Sequence, residues 1–225
     1  MKTHIDFQRY PEYMALADKK VPVKGQVLLY GSSFFTIFPR ADELLGEKDG
    51  DDPYTVINNG FGGSCADDLV YQYHRLVYPY APRLMVIRTG VNDLCRGYSV
   101  EDSFLLTQTL CEWTRADFPE CKIALLEIAE VPDKSLVQYR DDFKKLNALY
   151  RDYAAKNDGV YTFSITNLMY KDPSSVGTYE NFKDIFRPDG LHHTEEGYLE
   201  IAPTFKKYIK KILAADPKEK PVITE

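Results

Sequence analysis

The sequence predicts an α/β protein in which a parallel sheet lies between layers of helices. Three observations predict it. Five short apolar segments recur along the chain, helical stretches separate them, and glycine or polar residues follow most of the segments directly. The segments are QVLLY (26–30), YTVIN (54–58), RLMVIRT (83–89), KIALLEI (122–128) and VYTFSI (160–165). They are rich in β-branched and aromatic residues and do not alternate cleanly with polar ones, as expected of strands covered on both faces. Helical stretches are expected at 34–45, 65–78, 99–117, 136–156 and 195–214. Strand alternating with helix is the pattern of a parallel sheet with crossover helices.

The chain has 225 residues, of which 44% are hydrophobic, which fits one domain with a sizeable core. Residues 1–24 read as an N-terminal helix and linker, 25–215 as a single domain and 216–225 (DPKEKPVITE) as a loose tail. No repeat or low-complexity segment interrupts this order. Residues 167–189 form a long irregular connection with Pro173, Gly177 and Pro188, and loops of that length in compact domains are commonly functional.

A formal net charge of -6 and the lack of a basic stripe argue against a nucleic-acid partner. No apolar run reaches the roughly 18 residues that a membrane span needs, so no integral membrane segment is expected. The first twenty residues lack a signal-peptide pattern. Cys65, Cys95, Cys111 and Cys121 show neither C-x-x-C nor metal-like spacing and read as free thiols. Together these features lead to the expectation of a cytoplasmic protein. The oligomeric state is not legible.

In open α/β sheets ligands bind beyond the carboxyl ends of the strands. GSS follows the first segment, NGFGGS the second, GVND the third, and DGLHH comes after the last segment and its long loop. Acyl transfer needs a nucleophile, a base, an acid that orients the base, and donors for the developing oxyanion. Ser33, where a strand gives way to a helix, is the candidate nucleophile; in isolation, Ser32 or Ser33 as a helix cap explains the stretch better. Asp189 and His192 stand three apart, a spacing that brings side chains to one side of a turn, so Asp189 can set the imidazole tautomer. The competing explanation is a surface Asp-Gly turn. Gly63 can bring a backbone N–H close to a substrate oxygen, or simply serve a tight turn. A phosphate loop is disfavoured, because the P-loop lysine and the G-x-G-x-x-G spacing are both missing. The Asn92 amide can be an oxyanion donor or close an Asx turn. No set of residues has a workable metal-ligand spacing. Around Ser33 there is no G-x-S-x-G elbow of the α/β-hydrolase kind.

Taken together, YGSSF, NGFGGS, GVND and DGLHHTEEGY resemble the four blocks of the SGNH (GDSL-like) hydrolase superfamily, in order, from about Val27 to Tyr198. The resemblance implies a flavodoxin-like three-layer α/β/α sandwich with a central five-stranded parallel sheet. It implies Ser33 as nucleophile, His192 as base and Asp189 as its partner, with Ser33, Gly63 and Asn92 as the oxyanion hole. It implies no metal and no organic cofactor. Two departures stand out. Ser32 replaces the aspartate common in the first block, which is similar to an esterase-like branch reading Gly-Ser-Ser, and His193 takes a place often held by proline.

The implied activity is ester hydrolysis, with a small soluble ester such as an acetylated carbohydrate as the expected substrate. A lysophospholipase or thioesterase acting on longer acyl chains is the alternative. A non-catalytic carbohydrate- or lipid-binding protein is a third reading, disfavoured because serine and histidine are both retained. Ser32, Phe34, Phe186 and Arg187 are candidate pocket residues, the last two from a loop that also carries Tyr170, Tyr179 and Phe182.

Overall fold

A computed structural model describes residues 10–218, apart from the side chain of Tyr179. Residues 1–9 of the expected N-terminal segment and 219–225 of the expected tail lie outside the described residues. All five expected strands form: β1 Val27–Gly31, β2 Val56–Asn58, β3 Leu84–Arg88, β4 Lys122–Leu126 and β5 Val160–Phe163. They pair in parallel in the order β2-β1-β3-β4-β5. That is the flavodoxin-like order, whose ligand crevice opens where the chain reverses direction between β1 and β3.

Both faces of the sheet are covered, which is why the strands lack a polar side. Leu28, Tyr30, Met85 and Ile87 pack beneath helices α1 (Pro11–Ala17), α4 (Ala66–Leu76), α6 (Val100–Asp117) and α7 (Arg140–Lys156). On the opposite face, Val27, Leu29, Val86 and Phe163 pack against α2 (Ser33–Thr36), α3 (Ala41–Leu45) and α8 (Glu195–Ala214). A further short helix, α5 (Val91–Cys95), follows β3.

Two helical expectations need correction. The stretch 34–45 is not one helix but α2 and α3, separated by Pro39, which disfavours helical geometry at Phe38, and by Arg40, whose φ of 46° is left-handed. The stretch 136–156 begins as a 3-10 turn, Lys134–Tyr139, before α7 takes over. The tail, expected to be loose, is held at its described start: Gly159 donates its N–H to the Pro217 carbonyl at 2.9 Å. No disulfide joins cysteines among the described residues. No helix there is long and apolar enough to cross a membrane.

Two features of the packing fix the site region. The last residue of β1, Gly31, lies opposite Arg88, and a Cβ on it would stand 2.3 Å from the Arg88 carbonyl oxygen. The second is His193, which is 3% exposed among the rings of Phe34, Phe186 and Tyr198. Burial, then the positive charge of Arg88 and then His192, hold its imidazole near a pKa of about 3, against 6.5 in an unfolded chain.

Gly31→Ala should therefore destabilise the fold by at least about 1–3 kcal/mol in urea titration, because backbone rather than a flexible side chain would have to yield. His193 makes the protein acid-sensitive. Between pH 3 and 6.5 the unfolded chain binds the extra proton, so stability falls as pH drops below 6.5. From pH 7 to pH 5 this one group should remove about 2 kcal/mol. Urea midpoints at the two pH values should converge in His193→Phe; an undiminished difference would discount the buried imidazole.

Candidate active site

Three of the four sequence blocks, those of Ser33, Asn92 and His192, line the same crevice. Ser32 leaves the strand with φ of -95° and ψ of -149° and acts as N-cap of α2 through its backbone, its carbonyl accepting from Phe35 and Thr36 N–H. Its side chain makes no cap hydrogen bond. As the first helical residue, Ser33 has a backbone N–H with no intrahelical acceptor. Its Oγ lies 3.0 Å from His192 Nε2, across 159 residues of sequence. Of the two hydroxyls, only that of Ser33 is brought to the imidazole.

The far side of that imidazole meets a carboxylate, with His192 Nδ1 and Asp189 Oδ2 2.8 Å apart. Asp189 Oδ1 also accepts the backbone N–H groups of Leu191 and His192, both at 2.9 Å. Burial raises the Asp189 carboxyl, but the His192 N–H, the ring and the Leu191 N–H outweigh it and hold the pKa at about 2. The carboxylate therefore stays ionised across the neutral range and fixes the ring so that Nε2 faces Ser33 as acceptor. The loop is tied to α8 by Thr194, whose side chain caps that helix, and α8 is tied to α2 by its Tyr198 hydroxyl, which donates to the Phe34 carbonyl at 2.8 Å.

The oxyanion candidates form a second cluster. Asn92 Nδ2 donates to the Ser64 carbonyl at 2.9 Å, which orients the amide and occupies one of its two N–H groups. Asp93, which the sequence reading did not single out, ties the two blocks together. It is fully buried and accepts from the Ala66 N–H (2.9 Å), the Gly90 N–H (3.1 Å) and the Thr89 hydroxyl (3.2 Å). Gly63 adopts φ of +78°, and its carbonyl is fixed by Arg96 (2.8 Å) and the Tyr10 hydroxyl (3.1 Å). This backbone runs alongside the serine: a Cβ on neighbouring Gly62 would stand 3.9 Å from Ser33 Cβ. Gly63 itself does not line the cleft.

That cleft, about 30 Å³, is bounded by Ser32, Ser33, Phe34, Asn92 and His192, and a cavity of about 150 Å³ adjoins it through shared walls at Arg88, Val91, Ala129 and Leu191. Of the candidate pocket residues, Ser32 and Phe34 border this cleft. Phe186 and Arg187 do not, and the expectation for them is corrected. Phe186 packs against Phe182 and His193, and Arg187 Nε donates to the His193 carbonyl at 3.1 Å, so the loop folds onto its own aromatic core. The residues missed by the sequence reading are Arg88, Val91, Ala129, Val131 and Leu191. Arg88 had been read simply as part of a strand.

One group has ligand-type atoms close enough for a metal, Cys65, Asp67 and Asp68, all within 4.8 Å. Protein donors already engage it: the Tyr98 hydroxyl bonds Asp67, the Tyr10 hydroxyl bonds Asp68 at 2.9 Å, and Arg96 Nη1 lies 3.2 Å from Cys65 Sγ. The cluster braces the start of α4.

No curated protein matches the chain in sequence. The model of the GDSL-like Lipase/Acylhydrolase family matches residues 30–199. Solved structures of similar fold include a GDSL-like lipase from Bacteroides thetaiotaomicron (TM-score 0.69, 21% identity, covering 92% of this chain and 99% of that one). They include a lipase/acylhydrolase from Enterococcus faecalis (0.66, 20%, 87% and 99%). A third is the psychrotrophic esterase EstA from Pseudoalteromonas sp., inhibited by monoethylphosphonate (0.63, 20%, 85% and 100%). With the family's model spanning all four blocks, the chain belongs to the GDSL-like lipase/acylhydrolase family and is a carboxylic ester hydrolase.

Proposed function

We propose that the protein hydrolyses small soluble esters by a Ser33–His192–Asp189 triad. The observation that carries the reading is the unbroken hydrogen-bond chain from Ser33 Oγ to His192 Nε2 (3.0 Å) and from His192 Nδ1 to Asp189 (2.8 Å). His192 Nε2 takes the Ser33 proton as Oγ attacks the ester carbonyl. The resulting oxyanion is held by the Ser33 N–H and the second N–H of the Asn92 amide. The imidazolium then protonates the leaving alcohol. Water, deprotonated by the same imidazole, attacks the acyl-serine and releases the acid with Ser33 restored. Asp189 stays ionised throughout and stabilises the imidazolium. No step calls for a metal or organic cofactor.

The size of the site supports a short acyl or alcohol group, such as an acetyl ester of a sugar. A cavity of about 150 Å³ is of the size that accommodates a benzene ring, and the cleft over Ser33 is smaller still. Long acyl chains would have to lie outside both.

A fluorophosphonate probe should label Ser33, as read by peptide mapping, and Ser33→Ala should abolish both labelling and hydrolysis of p-nitrophenyl acetate. Labelling at Ser32 would replace the nucleophile; a folded protein that neither labels nor turns over would be a binding protein. Asn92→Ala should lower kcat on the order of 10²–10³-fold with a smaller change in KM, measured by steady-state kinetics; a change confined to KM would remove Asn92 from the oxyanion hole.

A further inference from the structure

Arg88 ends β3 beside Gly31, and its side chain is a wall shared by the catalytic cleft and the larger cavity. It is 8% exposed, yet it forms no ion pair among the described residues. Its partners are neutral: Nη1 donates to the Glu127 carbonyl at 3.0 Å, and the guanidinium lies 4.9 Å from the centre of the Phe34 ring. Burial lowers its pKa only to about 10, so the group stays charged at neutral pH. A charge withdrawn from water is costly unless a counter-charge or a full set of hydrogen bonds compensates it. One carbonyl and one ring leave most of five N–H donors to be met.

A second, partly buried guanidinium lines the same cavity. Arg140, at the start of α7, carries a buried Nη2 with no hydrogen-bond partner, and Lys144, one helical turn on, also borders the space. Two carboxylates line it as well, but both are engaged. Glu130 accepts from the Tyr170 hydroxyl, and Asp133 accepts from the Ser135 N–H (2.8 Å) and hydroxyl (2.7 Å). Three cations against two carboxylates leave the cavity cationic by one charge. The rest of the wall is apolar, including Val91, Ile128, Leu136 and Phe143.

We propose that this cavity is a subsite for a small anionic group, a carboxylate, phosphate or sulfate, carried by the ester substrate and received by the guanidinium groups of Arg88 and Arg140. The assignment rests on the Ser33–His192 cleft being the hydrolytic centre, since the cavity shares walls with it. An anion supplies two or more acceptor oxygens to the planar forks, and Arg is suited to this through paired, charge-assisted hydrogen bonds. The apolar wall accommodates the short carbon chain between that group and the ester.

Binding and turnover are read separately. Wild type and Ser33→Ala are titrated calorimetrically with glutarate, phosphate, sulfate and neutral glutaramide. The expected result is one-site binding of at least one anion, none of glutaramide, and at least tenfold weakening in Arg140→Gln. Arg88→Lys, which keeps the charge but loses the fork, should also weaken it. The best-bound anion identifies the chemistry. Failure of all three anions to bind, or binding unchanged in Arg140→Gln, overturns the subsite.

For turnover, 4-acetoxybenzoate is compared with 4-acetoxybenzamide, and monomethyl glutarate with methyl butanoate. The anionic member of one pair should have the higher kcat/KM by tenfold or more, and the pair that responds places the anion on the alcohol or the acyl side. The preference should shrink in Arg140→Gln. Equal rates within both pairs in an active enzyme overturn the subsite and leave the esterase reading standing. Anion binding without hydrolysis of any of the four supports the subsite and overturns the esterase reading.

Discussion

The buried carboxylate of Asp93 is the interaction on which the geometry of the site depends. It takes donors from Thr89 and Gly90 at the end of β3 and from Ala66 at the start of α4. Two chain segments are thereby locked to one another by a single side chain with no access to water. Burial pushes its carboxyl up, and the donors from Ala66, Gly90 and Thr89 pull the other way. Asn92 sits between these anchors and adds its own bond to Ser64, so the amide cannot swing away without breaking a buried network. Glycine at position 90 is part of the same design. Its φ is +104°, and a Cβ would stand 2.6 Å from Leu146 Cδ2.

The opposite half of the site is organised by packing rather than by a buried charge. The His192 loop is fastened to α8 by the Thr194 cap, and α8 is fastened in turn to α2 by the Tyr198 hydroxyl. His193 fills the aromatic space below while its neighbour reaches the serine. The Arg187 side chain holds the backbone of the same pair from the other side. Adjacent histidines thus divide the labour by alternation of the chain, one facing the crevice and one the core.

The sheet was legible because its strands are continuous apolar runs that only a two-sided burial explains, and the order of polar residues after them pointed to one edge of the sheet. Ser33, Asn92, Asp189 and His192 stood out as candidates because each lies just after a strand or just before a helix, where local spacing constrains what a side chain can reach. Arg88 did not, since an arginine closing an apolar strand looks the same whether it snorkels to solvent or turns into a cavity. Asp93 was hidden for a related reason: its partner at 66 follows β2, which reaches β3 only through the pairing of both strands with β1. The break between α2 and α3 was visible in Pro39, but the short apolar run around it outweighed that signal. Phe186 and Arg187 were misplaced because aromatic residues in a long loop can line a pocket or pack on each other with the same sequence pattern.

The 159 residues between the two ends of the Ser33–His192 bond have a consequence for how the protein is made. A chain emerging from the ribosome exposes Ser33 directly after the first strand, while Asp189 and His192 arrive only after all five strands have been made. Until α8 docks, no imidazole stands beside the hydroxyl. The contact between the two side chains is therefore a product of the closed fold and not of any local stretch of chain.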